Sequence, residues 1–428
     1  MTRDESGVGE VAMRVLIQGR AIQDNPWSRR LAFDGSRAPF VVSLLAALVA
    51  AGCTATTQQS PAPVEPQPTN TITVTSSPVV PPTLQDAYRA VQPAVVRIDG
   101  SGCAGFGSGT GFLVGRGVVA TAAHVILDNE HGRITRARKA SAYTVVALDE
   151  KSDIALLSVD SPIGGSPVEI STEKLSVGDA VATVGYSLGG SESFHDGVVN
   201  GLNRKAEIMA HDGSSRTAVG LIEHSAEALS GDSGAPLIIA TGEVVGVHDA
   251  GIEYMAGQRL AVPASAVTDL LDGWDRTATS VLSTEVCDEV FSLGGERIDT
   301  TDFSSVEVDA WNTLLVRAEA INRADWAAAA AQYATSREPS DLEAGSAESQ
   351  FTELLPLDMW RKDGRPVIWA QFQTTQPEGK GPKERPDETC TIWSVEYHFR
   401  MKSGLWLLTD STPHRGMPTS EPCDDFGD

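Results

Sequence analysis

Positive charge is scarce in this chain. Lys and Arg number 33 against 57 Asp and Glu, and the formal net charge is −24. A surface that binds nucleic-acid phosphates needs a basic footprint, so that class of partner is not expected. Long apolar runs are missing as well. The run PFVVSLLAALVAAGC, from Pro39 to Cys53, holds about 12 apolar residues, short of the roughly 20 that a spanning helix requires. Cysteines are few, 5 in 428 residues. None forms a CxxC pair or a Cys/His cluster with zinc spacing, so no metal is expected.

The N-terminal part shows what that apolar run does instead. Arg29, Arg30 and Arg37 precede it, and small residues Ala50, Ala51 and Gly52 lead into Cys53. Basic residues, a short apolar core and a small-residue site together read as a secretory signal over residues 1–53. The end of the run resembles a bacterial lipobox, with Ala50 where Leu is usual. That resemblance implies a lipidated Cys53 as mature N-terminus, and an extracytoplasmic protein that is lipid-anchored at the cell membrane or secreted. Residues 54–83 are rich in Pro, Thr, Ser and Gln, a composition that cannot bury a core and predicts a disordered linker. Four cysteines then remain, Cys103, Cys287, Cys390 and Cys423. In an exported chain they suggest disulfides, with three possible connectivities. Cys390 lies in a predicted strand and Cys423 beyond its hairpin partner, which favours Cys390–Cys423 and leaves Cys103–Cys287.

From residue 84 to 275 the pattern is all-β. Short β-branched runs such as AVVRI, GFLVG, GVVAT, IALLSV, AVATVG and EVVGV alternate with glycine-bearing turns, the signature of a barrel or sandwich. Helical spacing occurs only at the ends, in PTLQDAYRAVQ and PASAVTDLLDGW. From residue 284 to 428 the pattern changes. VEVDAWNTLLVRAEAINRADWAAAAAQYA has helical period, and VIWAQFQT, TCTIWSVEYHFRM and GLWLLTD alternate like antiparallel strands. Helices followed by a meander predict a smaller α+β domain.

Three short stretches carry the chemistry: TAAHV at 121–125, KSDIALLSV at 151–159 and GDSGAPL at 231–237. Taken singly, the histidine is a core residue, the aspartate a strand-start residue and the serine part of a turn. Glycine on both sides of a serine is unusual within a strand. Their order inside one β-rich segment points to a serine hydroxyl made nucleophilic by an adjacent imidazole. With these motifs, residues 84–272 resemble the trypsin/chymotrypsin-like serine proteases, nearest to compact bacterial secreted and HtrA-like members. The resemblance implies a double β-barrel and a serine endopeptidase acting on proteins or peptides. It assigns His124 as general base, Asp153 as its orienting acid and Ser233 as nucleophile, with the Gly231 and Ser233 amides as oxyanion hole. The family's common GDSGGP is GDSGAP here, with Ala235 in place of glycine. No activating N-terminal sequence is evident, so a new amine pairing with Asp232 is not expected.

For substrate binding the hints conflict. Glu227, six residues before Ser233, stands where trypsin-like members select Lys or Arg. VVGVHDAG at 244–251 resembles the run of glutamyl endopeptidases whose histidine meets an acidic side chain, here His248 with Gly251 beside it. The alternative is that Glu227 faces solvent and His248 is a strand residue. GFGSGTG at 105–111 superficially resembles a phosphate loop, but a strand follows it and no helix, so it reads as a hairpin near the site rim and no cofactor is expected. His195 and His211 read as solvated loop residues. The segment 284–428 resembles an NTF2-like cone, whose mouth can hold a ligand or partner; Trp311, Trp326, Trp369, Trp393 and Trp406 otherwise read as core aromatics. A catalytically inactive protease-fold scaffold lipoprotein is the alternative function, kept open by Ala235.

Overall fold

A computed structural model describes residues 82–102, 105–127, 132–171, 173–209, 215–251, 258–274 and 289–423. The signal region with Cys53, nearly all of the linker, Cys103, His211 and Cys287 lie outside the described residues. The first described element is α1 (Leu84–Val91), set by a capping box. Thr83 Oγ1 accepts from Asp86 N at 3.2 Å, and Asp86 Oδ2 accepts from Thr83 N at 3.2 Å.

Strands β1 (Val95–Gly102), β2 (Gly105–Gly115) and β3 (Val118–Ala122) follow, then the short helix α2 (Ala123–Leu127). After them come β4 (Arg133–Arg136), β5 (Lys139–Ser141), β6 (Tyr143–Asp149) and β7 (Ile154–Val159). The seven strands form one antiparallel sheet in the order β5-β4-β1-β2-β3-β7-β6. The GFGSGTG stretch is the second arm of the β1–β2 hairpin, as its flanking residues predicted. It is glycine-rich because α2 packs on it: a Cβ on Gly109 would lie 2.5 Å from Val125 Cγ1.

Strands β8 (Ala180–Gly185), β9 (Ser193–Met209), β10 (Ser215–His224), β11 (Pro236–Ile238), β12 (Val244–Gly251) and β13 (Arg259–Pro263) close a barrel in the order β10-β13-β12-β11-β8-β9. Inward residues Val181, Ile222, Leu237, Val245 and Ala261 fill part of it. Helix α3 (Ser265–Gly273) ends this half of the chain.

The expectation of two closed barrels needs a correction in the first lobe. Its edge strands β5 and β6 are separated only by Ala142. At Ala142 the N–H donates to Ser403 O at 3.0 Å and the carbonyl accepts from Asp160 N at 3.0 Å. Strands β5 and β6 are thus joined through Ala142 without pairing, and the sheet is not closed by a ladder there.

The C-terminal half has β14 (Glu289–Phe291), β15 (Arg297–Asp299), α4 (Ser305–Asn322), α5 (Trp326–Ala331) and α6 (Pro339–Ser346). The sheet strands are β16 (Gln350–Lys362), β17 (Arg365–Thr375), β18 (Cys390–Lys402), β19 (Leu405–Pro413) and β20 (Ser420–Pro422). Strands β16 to β19 pair in order, and β20 pairs with β18. The predicted long helical run is split. Ala324 adopts φ 56°, and Asp325 caps α5 through Ala328 N at 2.9 Å. Helix α4 buries Trp311, Leu314, Leu315 and Ile321 against Phe351, Phe372, Tyr397 and Phe399 of the sheet. Each such side chain contributes roughly 1.5–3 kcal/mol of burial. Of the tryptophans, Trp311 is fully buried, while Trp326, Trp393 and Trp406 are partly buried against the same core. Trp369 stacks on His414 at 3.8 Å between ring centres. The expected Cys390–Cys423 disulfide is present, with Cα atoms 5.4 Å apart.

The described residues all fall in one compact unit. Buried polar groups hold its two halves together. Arg97 Nε meets Asp99 at 2.7 Å and its Nη1 meets Asp325 at 2.6 Å. Arg133 Nη1 donates to Thr313 Oγ1 at 2.8 Å and to Gln332 Oε1 at 2.7 Å.

Candidate active site

Strand β3 brings small residues to the start of α2, where Ala122 and Ala123 are fully buried. Ala122 pairs with Ile154 on β7, and Ala123 N donates to Asp153 O at 3.1 Å. The next residue, His124, is gripped twice by the same aspartate. Its backbone N–H donates to Asp153 Oδ1 at 2.9 Å, and its ring Nδ1 lies 2.7 Å from Oδ2. An ionised carboxylate only accepts, so Nδ1 carries the proton and Nε2 is left with its lone pair. Asp153 is buried and holds a left-handed φ of 57°. Such backbone costs about 1–3 kcal/mol and clusters where side-chain aim matters.

Burial pushes the His124 imidazole down, but the hydrogen bond and charge of Asp153, helped by Asp249, outweigh it and hold its pKa above the ordinary value. Burial pushes Asp153 up, and the hydrogen bond and charge of His124, with Arg216, win and hold it below the usual carboxylate range.

Ser233 arrives from the other lobe on a turn clamped from both sides. Thr110 N donates to Ser233 O at 2.8 Å, and Gly234 N donates to His248 O at 2.8 Å. Gly234 sits at φ +84°, and a Cβ there would come 2.1 Å from Thr110 O and 2.9 Å from Ala122 N. Only glycine lets the turn press this closely on the end of β3, two residues before His124. The turn that carries Ser233, itself half-buried, thus packs on the strand end that leads into His124. Among the described residues its hydroxyl makes no hydrogen bond to the ring, and such contacts often tighten only with substrate in place.

The turn also leaves two donors open. Ser230 O accepts from Leu188 N at 2.5 Å, and Gly231 O accepts from Thr110 Oγ1 at 2.7 Å. A planar trans peptide then aims the Gly231 N–H away from Leu188. Among the described residues neither the Gly231 nor the Ser233 amide donates to a protein acceptor. Ala235 is accommodated without distortion: it is fully buried opposite Gly185, whose missing side chain leaves room for the methyl. The Asp232 carboxylate is already engaged, its Oδ2 accepting from Leu229 N at 2.8 Å and Ser187 Oγ at 2.7 Å.

Two site residues escaped sequence reasoning. Asp249 is buried, and its Oδ1 lies 2.6 Å from Arg216 Nη2, which is also 3.2 Å from Asp153 Oδ2. Burial first, then the charge of Asp153, push Asp249 up to about 6. A register shift in β12 between His248 and Ala250 re-aims this side chain toward the pair. Its signal was two adjacent ionisable residues in an otherwise apolar strand. His124, Asp153 and Asp249 bring ligand atoms within 4.8 Å of one another. The Arg216 guanidinium already supplies the positive charge between the two carboxylates.

The substrate-binding candidates part company. The Glu227 side chain is 62% exposed, 3.9 Å from His195 Nδ1. His195 lies on β9 and not in a loop, and its Nε2 is 3.3 Å from Ser187 Oγ. His248 is buried edge-on to the equally buried His224, ring centres 5.7 Å apart. Burial holds both neutral, pushing His224 down to about 4. Gly251 pairs with Arg259 at the end of β12.

Residues 109–247 match the family described as "Trypsin-like peptidase domain". The matched stretch contains His124, Asp153 and Ser233. "Protease Do-like 1, chloroplastic" of Arabidopsis thaliana is 31% identical over 39% of this chain and 38% of that protein. "Serine protease PepD" of Mycobacterium tuberculosis is 27% identical over 38% of each. The chain thus spans well under half the length of these curated relatives. The solved structure titled "Crystal structure of Rv3671c protease from M. tuberculosis, active form" is 25% identical, covering 53% of this chain and 99% of that one, with a TM-score of 0.44. Among the described residues no helix is long and apolar enough to cross a membrane.

Proposed function

We propose that the chain is a serine endopeptidase that cleaves proteins or peptides through an acyl-enzyme. In this reading His124 Nε2 takes the Ser233 proton as Oγ attacks the scissile carbonyl carbon. The Gly231 and Ser233 amides receive the developing oxyanion, each such donor being worth about 3 kcal/mol in the transition state. His124 then gives its proton to the leaving amine, and water repeats the sequence to release the acyl group. Asp153 keeps the proton on Nδ1 and stabilises the imidazolium. The carrying observation is the 2.7 Å bond from Asp153 to His124 Nδ1 beside a serine turn pressed on β3.

For the residue preceding the scissile bond we favour an acidic side chain read by His248 over a basic one read by Glu227. Glu227 is largely in solvent, whereas the backbone of His248 hydrogen-bonds to Ala235 and Gly234 on the serine turn. The signal and lipobox readings make the enzyme extracytoplasmic, held at the membrane through Cys53, with an NTF2-like cone as second domain. A fluorophosphonate probe tests the chemistry. Wild type should label covalently and Ser233→Ala should not; unlabelled wild type refutes the reading. Cleavage of a peptide library then separates Glu-directed from Lys- or Arg-directed hydrolysis.

A further inference from the structure

A cavity of about 310 Å³ lies in the C-terminal half, lined by Arg317 of α4, Tyr333 after α5, Phe372, Trp393 and Tyr397 of the sheet, and Arg337. Its walls are aromatic. Phe351 stacks on Phe372 at 5.1 Å, and Phe372 on Trp393 at 6.1 Å. Two arginines reach this setting without a counter-ion among the described residues, Arg317 half-buried and Arg337 exposed at its edge. Arg317 spends its Nε on the Tyr333 hydroxyl at 2.9 Å, and its guanidinium lies over the Tyr333 and Phe351 rings at 5.7 and 5.9 Å. Among the described residues its two terminal nitrogens bond to nothing. Arg337 also lies over the Tyr333 ring, 5.2 Å from its centre, and is likewise in no ion pair among the described residues. Asp410, the acidic group in the lining, is exposed and pairs with neither.

The contrast with other arginines makes this a built feature. Arg97 has two carboxylates, Arg361 has Glu307, and Arg133 has Thr313 and Gln332. Arg317 is half-buried in the cavity wall, and its two-nitrogen edge has no protein acceptor among the described residues, so an anion in the cavity can take it. The edge matches the two oxygens of a carboxylate. A chain of net charge −24 does not attract anions in general, so the selectivity is local to these two residues.

We infer that this cavity binds an organic monoanion, a carboxylate with an apolar tail, its oxygens on Arg317 and Arg337 and its tail along Phe372 and Trp393. Volume and lining fit a small-molecule site with few fixed polar groups. The site stands apart from Ser233, and its failure would leave the peptidase reading untouched.

The test uses the full chain and 8-anilinonaphthalene-1-sulfonate as fluorescent probe, displaced by octanoate or by octanol. One saturable site is expected, with octanoate at least tenfold more effective than octanol. Arg317→Gln should weaken probe and octanoate at least tenfold, and Arg337→Gln several-fold. Should Arg317→Gln fail to fold, Arg317→Lys, which keeps the charge and loses the fork, takes its place and should weaken octanoate severalfold. Equal displacement by octanoate and octanol, wild-type octanoate affinity in both arginine variants, or no saturable binding would each overturn the inference.

Discussion

Replacing Asp249 by Asn separates the electrostatics of the site from its shape. Asp249 is nearly isosteric with Asn, and its carboxyl has been pushed from the ordinary 3.8 to about 6 by burial and by Asp153. A raised carboxyl favours the folded state while protonated. That contribution is complete below pH 3.8 and is lost as pH rises through about 6. The shift of about 2 units corresponds to about 3 kcal/mol at roughly 1.4 kcal/mol per unit. Wild type should therefore lose about 3 kcal/mol between pH 4 and pH 8 that Asp249→Asn does not lose. Urea unfolding at both pH values, in a Ser233→Ala background to prevent self-digestion, measures the difference. Any packing change caused by Asn is common to both pH values and cancels. The pH profile of kcat/KM gives a second readout, because its acid limb reports the free base. The Asp249 charge raises His124 and the Arg216 charge lowers it. Asp249→Asn should move the limb to lower pH, and Arg216→Met to higher pH. Shifts in the same direction, or identical pH dependence of unfolding, would refute the reasoning.

Gly234→Ala should cost about 3 kcal/mol and most of the activity, since the methyl meets Thr110 O at φ +84°. Gly178→Ala, at φ +95° with nothing within 4 Å, should cost only about 1–2 kcal/mol when both variants are unfolded in urea; equal losses would show that strain, not space, governs both. Arg97→Met leaves Asp99 and Asp325 buried without their shared cation and should destabilise by about 3–5 kcal/mol in urea. Adding Asp325→Asn should recover part of that loss, and no recovery would count against the buried-pair account.

What could be read from sequence follows the range of the forces involved. His124, Asp153 and Ser233 each sit in a local motif whose glycines and small residues record the backbone geometry. The Cys390–Cys423 bridge spans one strand meander and was equally legible. Arg216 and Asp249 were not, because what brings them to Asp153 is the pairing of β10, β12 and β13 across the barrel, and neither residue belongs to a motif. Strand β16 went unseen because register shifts near Phe351 and Pro356 break its alternation. The break between α4 and α5 falls on Ala324, a residue with high helix propensity that is held left-handed by its surroundings. The contact of Ala142 at the open end of the first sheet is with Ser403, far along the chain, and no local pattern announces it.

The carbonyl of Gly189 gives the second half of the chain a hold on the first. It accepts from Arg97 at 3.2 Å and from Arg323 at 3.3 Å, while the neighbouring Leu188 and Ser187 grip Ser230 and Asp232. A chain cut at residue 275 would lose Arg323 and Asp325 together, so Arg97 would forfeit one counter-ion and Gly189 one donor. The scaffolding under the serine turn is thus partly built from residues beyond 275, so each half of the chain completes the other's polar network.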